Sequence, residues 1–228
     1  MQNETSYVVK WTGVAPGPLD EWAGNRWAHA NTLDVSHFHP LSSEHRPITQ
    51  ARLLHDLNTV YVLFRVQDRY VRCVHDTYQS MVSRDSCVEF FLQPPRSTAY
   101  FSFELNCGGT LLLYYVEDPT RGESAPFRKF TPVPDSLGSA VKIWHSLPTR
   151  VEPERREPVE WTVGCSVPVT LFEPFHGPLT SLAGQQWRGN FFKCGDETSH
   201  PHWASWSPIG KIRRFHQPAR FAPIHFER

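Results

Sequence analysis

The sequence has no surplus of either charge: 23 Lys and Arg balance 23 Asp and Glu. A chain without a basic excess offers no electrostatic footprint to nucleic acid or to an anionic membrane, and neither is expected as a partner. Long apolar runs are missing too. Stretches such as Leu111 to Val116 fall far short of the roughly 20 residues that a membrane span needs. Cysteine is scarce and odd in number, with five residues at positions 73, 87, 107, 165 and 194 and no C-x-x-C spacing. This argues against a disulfide framework or a zinc knuckle and for buried free thiols. Residues Met1 to Lys10 lack a basic start followed by an apolar stretch. The chain as it stands is therefore expected in the cytoplasm, or in the periplasm or outside the cell had a leader been removed. One glycosylation sequon, Asn3-Glu4-Thr5, is short enough to arise by chance. Enzyme signatures are also lacking: there is no G-x-S-x-G, no G-x-G-x-x-G and no P-loop.

A sustained 3.6-residue apolar period is absent as well, so helix is expected only as short turns near Pro168 to Phe172. What is present is proline, 20 residues, and aromatic side chains: 8 Trp, 7 Tyr and 15 Phe. Prolines punctuate short strands, and aromatics fill a β-core or line a binding surface. Ile48 to His55 and Thr59 to Val66 read as a hairpin around Asp56-Leu-Asn-Thr. Ser86 to Gln93, Tyr100 to Asn106 and Thr110 to Val116 continue as an antiparallel meander, broken by Pro94-Pro95 and Gly108-Gly109. Ala140 to Ser146, Val159 to Val167, Trp187 to Cys194 and Arg220 to Phe226 follow as further strands, and 117–135 and 147–158 as long excursions. The expected fold is all-β, a two-sheet antiparallel sandwich, with residues 1–228 forming one domain.

Alternation sorts side chains by parity. Val60, Val62, Phe64 and Val66 share a face, as do Val88, Phe90 and Leu92, and Phe101, Phe103 and Leu105. The opposite parity carries Arg52, Tyr61, Arg65, Glu89, Ser102, Glu104 and Asn106. One reading is a solvated outer face with ordinary ion pairs. The other is a floor for a polyol, because guanidinium and carboxylate groups each make two parallel hydrogen bonds to hydroxyls. In His200 to Gly210, Trp203 and Trp206 offer flat apolar faces for a sugar ring or else plug the end of the core, and Phe215 follows in a similar loop. The pairs His37/His39 and His200/His202 lack a third local ligand and read as structural or solvated rather than metal-bound. Glu89 and Glu104 can approach across neighbouring strands, which admits a glycoside hydrolase reading.

Several motifs together resemble one family: Ala51-Arg-Leu-Leu-His-Asp56, Val60-Tyr-Val-Leu-Phe-Arg-Val-Gln-Asp68, Asp85-Ser-Cys-Val-Glu-Phe-Phe-Leu92, Tyr100-Phe-Ser-Phe-Glu-Leu-Asn106 and Asn190-Phe-Phe-Lys-Cys-Gly195. From about residue 20 onward the chain is similar to the family 9 carbohydrate-binding modules, in their DOMON-like branch. The resemblance implies an immunoglobulin-like or jelly-roll-like sandwich. It also implies non-catalytic binding of xylan- or cellulose-type oligosaccharides, or of their reducing ends. It gives Glu89 a place facing the sugar and Phe215 the place of one of two sandwiching Trp residues. Two positions depart from the family pattern. Ser80-Met-Val-Ser-Arg84 stands where the other Trp is expected, and Ser102 stands where an arginine contacts sugar. Trp203 and Trp206 are the candidates to replace the missing clamp. Calcium is a further implication, with Asp20 and Glu21 near the usual acidic start. Some DOMON-like domains instead hold haem, for which Met81 with Lys193 or a His would serve. An interaction domain with a decayed sugar site is the remaining alternative.

Overall fold

Two strands of opposite direction with a tight turn between them form the centre of one layer. Leu57, at φ 84°, takes the left-handed conformation that reverses the chain after Asp56. The computed structural model describes residues 5–18, 20–122 and 125–228, so Asn3 and Glu4 of the sequon lie outside the described residues. In chain order the strands are β1 (Tyr7–Trp11), β2 (Thr32–Asp34), β3 (His37–Phe38), β4 (Ile48–His55), β5 (Thr59–Asp68) and β6 (Val71–Cys73). Next come β7 (Cys87–Gln93), β8 (Tyr100–Asn106), β9 (Leu111–Asp118), β10 (Lys129–Pro132), β11 (Lys142–His145) and β12 (Val151–Arg155). The series closes with β13 (Val159–Pro168), β14 (Gln186–Cys194), β15 (Trp203–Ser205) and β16 (Ala222–Phe226).

One layer runs β10-β9-β8-β7-β14-β16, with β15 on the far half of β14 and β3 on β15. The other runs β4-β5-β13-β11, with β2 on β4. Strand β1 joins them: Tyr7–Val9 pair with β16, and Lys10–Trp11 pair with β4. Both of these pairings are parallel, whereas the expectation was wholly antiparallel. A strand that changes layers halfway along forms a corner of the sandwich. The excursions also hold pairing strands: β10 returns along β9, and β12 pairs with β6. The expected helical turns occur as short pieces at Val169–Leu171 and Glu173–His176. No helix among the described residues is long and apolar enough to cross a membrane.

The interior follows the parity expected from the sequence. Val60, Val62, Phe64 and Val66 meet Val88, Phe90, Leu92, Phe101, Phe103 and Leu105 in one cluster. Phe90 and Phe103 stack with 4.6 Å between ring centres. Each such fully buried side chain contributes about 1.5–3 kcal/mol.

The supposed single polar face is in fact two faces. Arg52, Tyr61 and Arg65 belong to the outer side of the β4–β5 layer, and Glu89, Ser102, Glu104 and Asn106 to the outer side of the β7–β8 layer. The packed core of the sandwich separates them, because strands of like parity in different sheets turn their polar sides away from each other. Arg52 is engaged locally: its Nη1 donates to the carbonyls of Trp22 at 2.7 Å and Trp27 at 3.1 Å. The Arg52 and Arg65 guanidinium groups lie over the Trp22 ring at 4.3 and 4.8 Å. They pin the 20–30 segment over Leu54, Tyr61 and Leu63.

Candidate functional site

On the outer side of the first layer a cavity of about 670 Å³ opens above β7, β8, β9 and β14. Its floor follows a row set by strand register, in which Leu112, Glu104, Glu89 and Phe192 stand directly opposite one another across four strands; the first three line the cavity, and Phe192 is buried under Phe215. Cys194 continues the floor two residues beyond Phe192. Three chain segments raise walls around this row. One brings Arg213, Arg214, Phe215 and His216; one brings Asp196 and Trp203; and one brings Phe127 beside Tyr114 of β9.

Glu89 and Glu104 are 3% and 7% exposed, so both carboxyl groups are nearly stripped of water although they face the cavity. Ser102 Oγ donates to Glu104 Oε1 at 3.0 Å, and Cys194 Sγ donates to Glu89 Oε1 at 3.3 Å. Burial pushes Glu104 up to about 7 despite the Ser102 bond. Burial and then the neighbouring Glu104 charge push Glu89 well above the usual carboxylate range. Like charges on directly opposed residues cannot both ionise cheaply in a poorly solvated site. The pair therefore offers a carboxylic O–H donor beside carboxylate acceptors, which is the complement a sugar hydroxyl needs.

Trp203 is half-buried at the cavity wall. Its indole N–H donates to Asp196 Oδ1 at 2.6 Å, and the Arg213 guanidinium lies over its ring at 4.2 Å. Phe215 stacks on Phe192 with ring centres 4.2 Å apart and planes 13° apart. His216 packs on Phe127 at 4.4 Å and pairs through Nδ1 with the Tyr100 hydroxyl at 2.8 Å. Glu89, Glu104, Trp203 and Phe215 thus meet in one place, with Ser102 just beneath as the Glu104 partner.

Three of the sequence candidates lie elsewhere. Trp206, the residue after β15, is 8% exposed and packs edge-on against Phe191 and Tyr7 in the inter-layer core, on the same side as Ala204 two residues before it. Arg52 and Arg65 lie on the opposite outer face, as described above. The haem pairing of Met81 with Lys193 also fails on parity. Met81 sits at the cavity rim, but Lys193 points to the interior. There its Nζ meets His202 Nε2 at 2.8 Å and Asp68 Oδ2 at 3.4 Å. Burial alone would raise the Asp68 carboxyl, yet Lys193 and His45 hold it well below the usual carboxylate range. Asp20, one of the two acidic residues named for calcium, has its carboxylate engaged by Arg26 at 2.8 Å and by the Gly17 N–H at 2.8 Å. Among the described residues, the grouping of three ligating side chains is Cys87, Glu89 and Cys194. That sulfur-rich set is unlike the six to eight oxygens that calcium requires.

Sequence reasoning missed Tyr114, Phe127, Asp196 and His216. Tyr114 was within reach, since it shares its parity with Leu112 on an expected strand. Phe127 and His216 arrive on loops with no periodicity to place them.

The carbohydrate-binding family 9 pattern matches residues 25–226. A Bacteroides uniformis protein proposed to bind carbohydrate has a similar structure: TM-score 0.83 and 28% identity, covering 99% of this chain and 100% of that one. A family 9 module from Caldicellulosiruptor kristjanssonii in complex with glucose is alike in fold, with TM-score 0.62 at 12% identity over 98% of this chain and 96% of that one. The same holds for a family 9 module from that organism with cellotriose, at TM-score 0.63 and 12% identity over 98% and 94%. No curated protein matches the chain. With the pattern spanning nearly the whole sandwich, the chain belongs to carbohydrate-binding family 9.

Proposed function

We propose that the protein binds cellulose- or xylan-type oligosaccharides, or their reducing ends, without cleaving them, in the cavity over β7, β8, β9 and β14. The observation that carries this reading is the buried Glu89–Glu104 pair beneath the aromatic walls of Trp203 and Phe215. The volume suits a small ligand, and the polar floor with apolar walls suits a ring that is hydroxylated at its edge and apolar on its face. The glucose and cellotriose complexes of the Caldicellulosiruptor modules support the same ligand class.

Binding is favoured over hydrolysis by how the carboxyl groups are arranged. A glycosidase sets its two carboxyl groups on either side of the scissile bond. Glu89 and Glu104 instead stand side by side on one face of one sheet, so both reach a ligand from below. A shallow site with few anchors gives modest affinity, because association itself costs several kcal/mol.

Calorimetric titration with cellobiose, cellotriose and xylotriose, each native and borohydride-reduced, tests the proposal. Saturable heat at millimolar or lower concentration, with the sugars recovered intact, is the expected result. No heat with any of them, or shortened products after prolonged incubation, overturns it.

A further inference from the structure

Cys87 and Cys194 stand directly opposite each other on β7 and β14. Glu89 is the next residue of like parity on β7, so all three side chains project from the same side of two central, fully paired strands. Their ligating atoms lie within 4.8 Å of one another, and all three residues are buried. Cys194 and Glu89 border the cavity, with Cys194 Sγ 3.3 Å from Glu89 Oε1, while Cys87 lies behind them, sealed from solvent.

We propose that Cys87, Cys194 and Glu89 bind a thiophilic divalent cation of the zinc class, with a fourth coordination position facing the cavity. A tetrahedral zinc ion holds sulfur at about 2.3 Å and carboxylate oxygen at about 2.0–2.2 Å, which places its ligand atoms roughly 3.5–3.8 Å apart. The ligating atoms already lie within 4.8 Å of one another, so closure by about 1 Å or less brings them to that spacing. Two sulfurs and one oxygen select zinc, cobalt or copper(I) over calcium or magnesium, which prefer oxygen shells. Both thiols bind as thiolates and release their protons when the ion enters. Three protein ligands and one open position make an accessible site rather than a closed structural one. The open position faces Glu104 and the space above the floor, where water or a hydroxyl of a bound molecule fits.

The other close thiol pair, Cys73 and Cys107, is not part of any three-ligand grouping among the described residues, and Cys165 stands apart in the core. Cys165 therefore serves as the internal control.

The test uses the full chain, reduced and metal-free, titrated anaerobically with cobalt(II) chloride in the absence of sugar. Its outcome is thus independent of whether carbohydrate binds. The expected result is a thiolate-to-cobalt charge-transfer band that saturates at one ion per chain and is bleached by zinc chloride. Cys87→Ser and Cys194→Ser abolish the band, and Cys165→Ala keeps it. Glu89→Gln, which leaves both thiols in place, weakens cobalt binding by more than about tenfold. Near-ultraviolet circular dichroism confirms that each variant is folded, and Glu89→Gln carries the test if a serine variant is not. Absence of the band in folded, reduced wild type, persistence of the band in Cys194→Ser, or unchanged affinity in Glu89→Gln overturns the proposal.

Discussion

Glu89 and Glu104 face each other across β7 and β8 as directly opposed residues, each almost fully withdrawn from water. A sheet designed for stability alone would not hold two carboxyl groups this way. Desolvation and mutual repulsion both oppose their ionisation. The arrangement gives an expected trade-off. At pH 8, Glu104→Gln raises thermal stability by about 1–3 kcal/mol, because it removes one buried charge while keeping the Ser102 contact. The same variant lowers affinity for a bound oligosaccharide by about tenfold, the loss of one good hydrogen bond to a charged group. Denaturant melts and calorimetry on the same samples read both changes. A loss of stability with unaltered affinity contradicts this account of the pair.

Trp203 and Trp206 are three residues apart and are expected to respond oppositely. Trp203→Ala removes a half-exposed wall and lowers sugar affinity by about tenfold or more, with only a small change in stability. Trp206→Ala opens a hole against Phe191 and Tyr7 and costs about 3–5 kcal/mol of stability. Urea denaturation with parallel binding measurements separates the two effects.

Arg52 and Arg65 resemble sugar ligands by type, but their work is to hold the 20–30 segment. Arg52→Ala strands two carbonyl acceptors and the Trp22 ring, and the expected destabilisation is about 1–3 kcal/mol. Oligosaccharide affinity stays within twofold of wild type. A selective loss of affinity would move the site to the opposite face of the sandwich.

Much of this arrangement was legible in the sequence, and the part that was not has a physical cause. Alternation located β4, β5, β7 and β8 to within a residue or two and sorted their inner from outer side chains, because a two-residue period determines which face is buried. Alternation says nothing about which layer a strand joins. The outer sides of two different sheets therefore read as one face, and Arg52 and Arg65 were grouped with Glu89. Strand β1 was missed because its five residues divide between two layers and make only parallel pairs. Trp203 and Trp206 were indistinguishable in sequence, since only pairing of β15 with β14 decides which of them turns outward. Phe127 and His216 come from loops, whose course depends on tertiary contacts rather than on local pattern.

Two histidines, His202 and the partly buried His216, give the pH dependence. Burial, and then the Arg214 charge, lowers His216 from its ordinary 6.5 to about 3. The unfolded chain takes up this proton near pH 6.5 and the folded chain does not, so the stability contributed by the neutral ring is present above that value. It is lost progressively as pH falls from 6.5 toward 3. His202 is lowered likewise, to about 3, by burial and by Lys193, and acts in the same direction. Between pH 7.5 and pH 5 the stability of wild type therefore falls relative to His216→Phe, approaching one proton's worth of slope. A gap between the two that does not change with pH contradicts the assignment of a neutral His216.

Sugar is expected to enter above the Glu89–Glu104 row against Trp203. The chain has 8 Trp, and three of them border other cavities, Trp22 and Trp144 one and Trp11 another. Indole N–H signals recorded during a cellotriose titration, with Trp203 assigned from Trp203→Phe, discriminate among these sites. The expected result is a saturable shift of the Trp203 indole proton as its contact with Asp196 is perturbed, while Trp11, Trp22 and Trp144 stay in place. A shift at Trp11, Trp22 or Trp144 with Trp203 unmoved would contradict sugar entry above the Glu89–Glu104 row.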